Sequence, residues 1–191
     1  MKKLTIKNLT LSAMFLAVGL VLPLLTGQIQ QIGNMLLPMH IPVFLCALIC
    51  GWKYGLAVGL VLPLLRSVTF GMPPLFPTAI ALSFELAAYG FVAGFLYGRS
   101  RWQCVKALYR SLLLAMVTGR AVWGIVQIVL LGVGGSAFTF EMFMAGAILN
   151  AIPGIVLQLI LVPTIMVALD RAKLVPFKKL PSAKVEASLV H

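Results

Sequence analysis

The strongest constraint on this chain is a succession of apolar runs that are nearly free of charged side chains. Hydrophobic residues make up 61% of the sequence and charged residues only 10%, and the mean hydropathy is +1.07. A water-soluble domain of 191 residues has too little interior to bury so much apolar surface. A run of about 20 apolar residues, in contrast, can span a bilayer as a helix. The sequence therefore predicts an all-α integral membrane protein.

We predict six transmembrane helices in one membrane domain over residues 1–173, followed by a basic, disordered tail over residues 174–191. In chain order the predicted helices cover about 9–25, 38–49, 56–70, 78–97, 111–133 and 141–169. The first run begins like a secretory signal peptide. No small-x-small cleavage site follows it and five further apolar segments do, so we interpret it as the first helix.

The positive charges are segregated along the chain. The loops over 26–37, 71–77 and 134–140 contain no Lys or Arg. By the positive-inside rule those loops face outward and both termini are cytoplasmic. The net charge of +11 is spread over short segments between apolar runs, so it does not indicate nucleic-acid binding. Of the 15 Lys and Arg residues, 13 lie on the predicted cytoplasmic side: Lys2, Lys3, Lys7, Lys53, Arg99, Arg101, Lys106, Arg110, Arg171, Lys173, Lys178, Lys179 and Lys184.

The two remaining cations, Arg66 and Arg120, fall inside apolar runs, and Glu85 is the only acid at comparable depth. An arginine at the bilayer centre costs roughly 2.5 to 3.5 kcal/mol on insertion scales, so it usually pairs with another group or has a function. From helix positions, Glu85 and Arg120 are expected to meet near the midplane. Arg66 is expected about one turn below the outer surface, where it has solvent or a ligand as its partner.

Polar side chains recur at helical spacing on three of the predicted helices, which indicates that each helix turns one polar stripe toward a shared cavity. We predict a cavity for a small anionic solute, with the Arg66 guanidinium as a two-pronged donor to a carboxylate. His40, at the start of the second helix, either caps that helix or lines the cavity. Alternatively, Arg120 and Glu85 form a purely structural pair with interhelical hydrogen bonds around it. The stripes are Glu85 and Tyr89; Arg120, Trp123 and Gln127; and Asn150, Gly154 and Gln158.

Catalytic groups are not evident. A membrane hydrolase needs a nucleophile with a base, or clustered acidic and histidine ligands, and the only histidines are His40 and His191. The three cysteines lie in or beside apolar helices and are predicted to be packing residues. No phosphate-binding glycine motif occurs. We therefore expect no enzyme activity, no metal site and no cofactor bound by this chain.

A nine-residue run, AVGLVLPLL, occurs at 17–25 and again at 57–65. Both copies would cross the membrane in the same direction, which differs from the inverted repeats of many secondary transporters. Pro23 and Pro63 each remove one helical hydrogen bond and are predicted to bend the last turns of their helices.

These features together resemble the substrate-binding S component of an energy-coupling factor (ECF) vitamin transporter. The resemblance covers residues 9–170 and rests on chain length, six helices, cytoplasmic termini, a long polar first outer loop, the pair Ala13-x-x-x-Ala17 and the run HIPVFLCALICGWKYGLAVGLVLPLLRSVTFGMPP. The His40-Ile-Pro run and the Arg66 region look closest to pantothenate-binding members. Those that bind hydroxymethylpyrimidine or pyridoxine are near neighbours.

The resemblance implies a multi-pass protein of a prokaryotic cell membrane that captures a vitamin from outside, in a cavity capped by the first, third and fifth loops. Ala13 and Ala17 would dock onto a transmembrane T component, and two cytoplasmic ATPase subunits would hydrolyse ATP. The S component would then topple in the membrane to release its solute inward. Pantothenate carries a carboxylate that could meet Arg66, which favours it over the two neutral vitamins.

Three other functions remain open at this point. In a stand-alone, proton-coupled secondary transporter, Glu85 would be the protonatable group and no ATPase would be needed. A structural membrane protein would use Arg66 for stability alone. A membrane enzyme is the third possibility, although the sequence offers it no catalytic group.

Overall fold

The computed structural model describes residues 6–26, 38–133 and 151–177, and within these ranges the chain forms helices and short connections without a β-strand. The first helix continues into a 3₁₀ turn, Leu22–Thr26, and a wide π-type turn, Leu75–Ala79, leads into the fourth. The all-helical prediction is therefore confirmed. The α-helices are α1 (Ile6–Val21), α2 (His40–Cys50), α3 (Trp52–Phe70), α4 (Ile80–Arg99), α5 (Val105–Val133) and α6 (Ile152–Arg171).

Five helical segments are long and apolar enough to cross a membrane: those containing α1, α3, α4, α5 and α6. The exception among the described helices is α2, whose 11 residues extend about 16 Å at about 1.5 Å per residue, against a hydrocarbon core of about 30 Å. The count of six spans and the cytoplasmic termini remain predictions. The predicted start of the sixth helix at 141 and most of the predicted tail lie outside the described residues.

The short helix α2 forms the centre of the bundle. Every residue of α2 except Ile49 is buried. Helices α1, α3, α4 and α6 all pack against it. Apart from its two cysteines, the only ionisable side chain of α2 is His40. Because α2 is apolar on all sides, it suits an environment of surrounding helices on every face.

Three predicted boundaries were wrong for identifiable reasons. The third helix, predicted to begin at about 56, begins at Trp52, directly after a single-residue break at Gly51 whose φ of 103° is accessible to glycine. The α-helix predicted to reach 25 ends at Val21, two residues before Pro23. The fifth helix begins at Val105 rather than 111, because Lys106 and Arg110 lie on its exposed side and do not interrupt it.

Helices α3 and α4 approach each other most closely, through glycines. A side chain on Gly59 would collide with the backbone at Leu86, and one on Gly90 would collide with the backbone at Gly55. Small residues at such positions allow membrane helices to pack backbone to backbone. These two contacts also define the antiparallel register of the pair, and that register brings Arg66 level with Ala79.

Candidate functional site

Glu85 is the centre of a buried polar cluster formed by α2, α4 and α5. Its side chain is completely buried, and its Oε1 lies 3.1 Å from Nη1 of Arg120. The Tyr89 hydroxyl donates a hydrogen bond of 2.8 Å to the same oxygen. Nε2 of His40 lies 3.7 Å from it. The predicted meeting of Glu85 with Arg120 is therefore confirmed, and His40 faces this interior site from the start of α2.

Local sequence explains how the cluster assembles. Glu85 and Tyr89 are four residues apart on α4 and so share one face. The Tyr89 ring packs where Gly119 of α5 has no side chain, directly beside Arg120. On its other side the ring stacks on Phe44 of α2, with centroids 5.2 Å apart. Phe44 was missed from the sequence, because a phenylalanine in an apolar helix carries no signal of a site.

Several polar atoms of this interior have no hydrogen-bond partner among the described residues. Acceptors without a partner are Oε2 of Glu85 and Oε1 of Gln127, and donors without a partner are Nε and Nη2 of Arg120 and Nε2 of Gln158. Buried polar atoms are usually hydrogen-bonded, because leaving one unpaired costs about 1–3 kcal/mol. A ligand that offers both donors and acceptors would satisfy this set.

Arg66 lies apart from the cluster. It is 3% exposed, and its Nη1 donates a hydrogen bond of 2.7 Å to the backbone carbonyl of Leu20 in α1. That carbonyl stands three residues before Pro23, which has no N–H to donate. The Arg66 guanidinium carbon also lies 5.3 Å from the centroid of the Phe70 ring. Arg66 thus links α3 to α1 and has protein partners in addition to any ligand.

The site has two levels along the bundle axis. Arg66 is level with Ala79, the residue that precedes α4, which is six residues from Glu85, or about 9 Å at about 1.5 Å per residue. Gln127 is seven residues beyond Arg120 on α5, about 10 Å away. Since α5 runs antiparallel to α4, this displacement is toward the same end of α4 as Arg66. The Glu85 cluster is one level, and Arg66 and Gln127 share the other.

The remaining predicted site residues are placed as follows. Trp123 is half-buried on α5 and makes contacts there. Gln127 is buried at 7% exposure, and Gly154 and Gln158 are both buried on α6. Asn150 lies outside the described residues. The described part of the three predicted stripes therefore faces the interior, except that Trp123 is only partly covered.

The predicted docking pair, Ala13 and Ala17, lies on the side of α1 that faces away from the other helices. Ala13 and Ala17 are exposed, as are the apolar neighbours Leu9 and Val21. Ser12 and Gly19 are the buried residues of α1, and Gly19 packs against Leu62 of α3. The small-residue pair therefore faces away from the bundle and is available for contact with another membrane protein or with lipid.

No group of three or more His, Cys, Asp or Glu side chains that could hold a metal ion occurs within the described ranges. The three cysteines are free thiols, two of them buried in α2.

Comparison with known proteins identifies the family. A family model described as "ECF transporter, substrate-specific component" matches residues 7–166, which covers all six described helices except the last turns of α6 and the first residue of α1. No curated protein and no solved structure gives a match. Members of this family are multi-pass transport subunits and not enzymes. The chain belongs to the family of substrate-specific components of ECF transporters.

Proposed function

We propose that this chain captures a small vitamin that carries a carboxylate, most specifically pantothenate, and passes it inward as the S component of an ECF importer. The observation that carries the proposal is the charge balance of the described interior. Two cations, Arg66 and Arg120, accompany one anion, Glu85. The interior therefore has one positive charge more than its acid can neutralise, and an anionic ligand would balance it.

The surplus charge belongs to Arg66. Glu85 is within ion-pair distance of Arg120 and, among the described residues, neutralises that arginine. Among the described residues, the partners of Arg66 are a carbonyl dipole and the face of a ring, which stabilise a cation without neutralising it. A buried cation that lacks a counter-ion is costly, and a ligand carboxylate would relieve that cost.

The two levels of the site suit an elongated ligand. Pantothenate has its carboxylate at one end, an amide in the middle and two hydroxyls at the other end. At the level of Arg66 and Gln127, Arg66 would bind the carboxylate. At the level of the Glu85 cluster, unpaired donors on Arg120 and an unpaired acceptor on Glu85 would bind the amide and hydroxyl groups. Hydroxymethylpyrimidine and pyridoxine are compact and neutral, and neither would balance Arg66.

Transport by this chain would depend on partners. We infer six spans with both termini in the cytoplasm of a prokaryotic cell, a T component that contacts Ala13 and Ala17, and two ATPase subunits that hydrolyse ATP. Family membership favours this arrangement over a stand-alone proton-coupled carrier. In the importer, Glu85 would be a fixed ligand-binding anion and would not carry a proton across the membrane.

Titration calorimetry on the detergent-purified chain tests the substrate. Pantothenate is titrated into the wild type, Arg66→Gln and Arg120→Gln, with Arg101→Gln as a control that removes one exposed charge outside the site. Losing a charge-assisted hydrogen bond should weaken binding about 10- to 100-fold in the first two variants and leave the control unchanged.

Three outcomes would count against the proposal. Tighter binding of hydroxymethylpyrimidine or pyridoxine than of pantothenate would reassign the vitamin. Unchanged pantothenate affinity in Arg66→Gln would remove the charge argument. Failure of all three vitamins to bind the folded wild type would remove the vitamin-binding role proposed for this interior.

A further inference from the structure

A cavity lies between the end of α4 and the beginning of α5, apart from the proposed vitamin site. Its volume is about 200 Å³. Neither the Glu85 cluster nor Arg66 contributes to it. Two arginines and two serines line it together with apolar side chains, and none of its lining residues is acidic. We call it the basic cavity; its lining is Leu96, Arg99, Ser100, Ala107, Arg110, Ser111 and Leu114.

The position of the basic cavity in the chain indicates which region of the membrane it faces. The connection between α4 and α5 carries a dense group of cations and an exposed tryptophan, Trp102, that is 59% accessible. Tryptophan and basic residues at a helix end are typical of the membrane–water interface. The cavity therefore opens at the depth where lipid headgroups lie, whichever face of the membrane this is.

The two arginines provide the means to bind an anion. Arg99 and Arg110 come from different helices and line the same cavity. The guanidinium carbon of Arg99 lies 5.6 Å from the centroid of the Phe95 ring, a contact that orients its planar group. Paired guanidinium groups match the oxygens of a phosphate, to which each can donate two parallel hydrogen bonds.

The two serines of the cavity can accept hydrogen bonds, whereas its two arginines can only donate them. The Ser111 hydroxyl donates to the carbonyl of Leu108 at 2.8 Å, and the Ser100 hydroxyl donates to the carbonyl of Trp102 at 3.0 Å. With their hydrogens engaged, both oxygens offer lone pairs to the cavity. A ligand that carries hydroxyl groups beside its phosphate would use these acceptors.

The walls of the cavity extend into an apolar surface. Leu96 and Leu114 line it, and Leu114 is itself half-exposed. Leu113 and Val117 continue the exposed apolar surface along α5, with Val117 70% accessible. An acyl chain could follow this surface from a headgroup held by the arginines. Free phosphate has no part that would use it.

We propose that the basic cavity binds the phosphate group of an anionic phospholipid with a hydroxyl-bearing headgroup. Arg99 and Arg110 hold the phosphate, Ser100 and Ser111 accept hydrogen bonds from the headgroup, and the exposed side chains of α5 support an acyl chain. The same phosphate chemistry is available from free inorganic phosphate, so the test separates the two sources. The proposal is independent of the vitamin assignment.

Native mass spectrometry of the detergent-purified chain tests it, with phosphatidylglycerol and the zwitterionic phosphatidylcholine as probes. We expect one tightly retained phosphatidylglycerol, at least about tenfold preferred over phosphatidylcholine. At about fivefold for each near-surface cation, the double variant Arg99→Gln/Arg110→Gln should lose roughly 25-fold in affinity for this lipid. The control, Arg101→Gln/Lys106→Gln, removes the same charge from neighbouring exposed positions that do not line the cavity, and should retain the lipid.

A charge-conserving variant, Arg99→Lys/Arg110→Lys, guards against misfolding and should keep part of the affinity. Sodium phosphate is titrated into lipid-free protein in a separate arm. Phosphate binding as tight as that of phosphatidylglycerol would assign the cavity to free phosphate and overturn the lipid. Equal retention of the two lipids, equal losses in the test and control variants, or no binding of either probe would overturn the site itself.

Discussion

Oε1 of Glu85 and Nη1 of Arg120 lie 3.1 Å apart in the interior and join α4 to α5 by an ion pair. The acid is fully buried, while the arginine retains 13% exposure of its side chain. One oxygen of Glu85 also accepts the Tyr89 hydrogen bond, and the other has no partner among the described residues. The pair is thus both a structural link between two helices and a group whose hydrogen bonds are incompletely satisfied among the described residues.

Replacing one partner of this ion pair should destabilise the protein more than replacing both partners would. Glu85→Gln leaves the Arg120 charge without a counter-ion, and losing one partner of a buried pair costs about 3–5 kcal/mol. Glu85→Gln/Arg120→Gln should be destabilised by clearly less than the sum of the single variants. Thermal unfolding in detergent, followed by intrinsic fluorescence, gives the three values. Simple additivity would mean that the two side chains are not coupled.

Arg66 allows structural and ligand-binding roles to be separated. Arg66→Met leaves the Leu20 carbonyl without this donor and should lower stability by about 1–3 kcal/mol. Arg66→Lys keeps a charged donor but lacks the planar fork, so it should recover much of the stability while vitamin affinity stays reduced. Unfolding and calorimetry on the same samples provide both readouts. Full recovery of affinity in Arg66→Lys would argue against a two-pronged carboxylate contact.

The close approach of α3 and α4 predicts a strong effect from one methyl group. Gly59→Ala places a Cβ against the backbone at Leu86, and overpacking of this kind costs about 1–3 kcal/mol or more. Gly98→Ala is the matched control on α4, where an added Cβ meets nothing within 4 Å. Alanine is the better helix former, so this control should be neutral or slightly stabilising. Similar melting temperatures for the two variants would contradict the packing of these helices.

The repeated nine-residue run supplies a control for the docking surface. Ala17 and Ala57 occupy the same position in the two copies, and both are exposed. Ala17→Val should abolish vitamin uptake by cells that contain the complete importer, while vitamin binding to the purified chain persists. Ala57→Val should leave both measurements near wild type. Equal uptake in the two variants would place the T component on another surface.

Much of the site was predictable because it depends on charge in an apolar setting. A lone acid and an arginine at matching depth have strong reasons to pair, and residues four apart on a helix share a face, so the Glu85, Tyr89 and Arg120 contacts followed from sequence spacing. The Leu20 carbonyl as a partner of Arg66 did not follow. Backbone acceptors are the same at every residue, and only the packing of α1 on α3 brings this one to the guanidinium.

The central position of α2 was equally hidden in the sequence. The sequence pattern of an apolar helix is the same whether lipid or protein surrounds it. The surrounding helices decide the matter, and four of them cover it. Phe44 acquires its contact with Tyr89 only from that arrangement.

The nine-residue repeat shows most clearly what the local sequence does not determine. Composition and charge segregation determined that both copies belong to helices in a membrane protein. Yet the copy at 17–25 changes from α-helix to 3₁₀ turn at Leu22, while the copy at 57–65 remains α-helical through Pro63 to Phe70. Gly19 of the first packs on the Leu62 side chain, and Gly59 of the second packs on the α4 backbone. Identical local preferences reach different structures because their neighbours in space, and not their own residues, decide which conformation is stabilised.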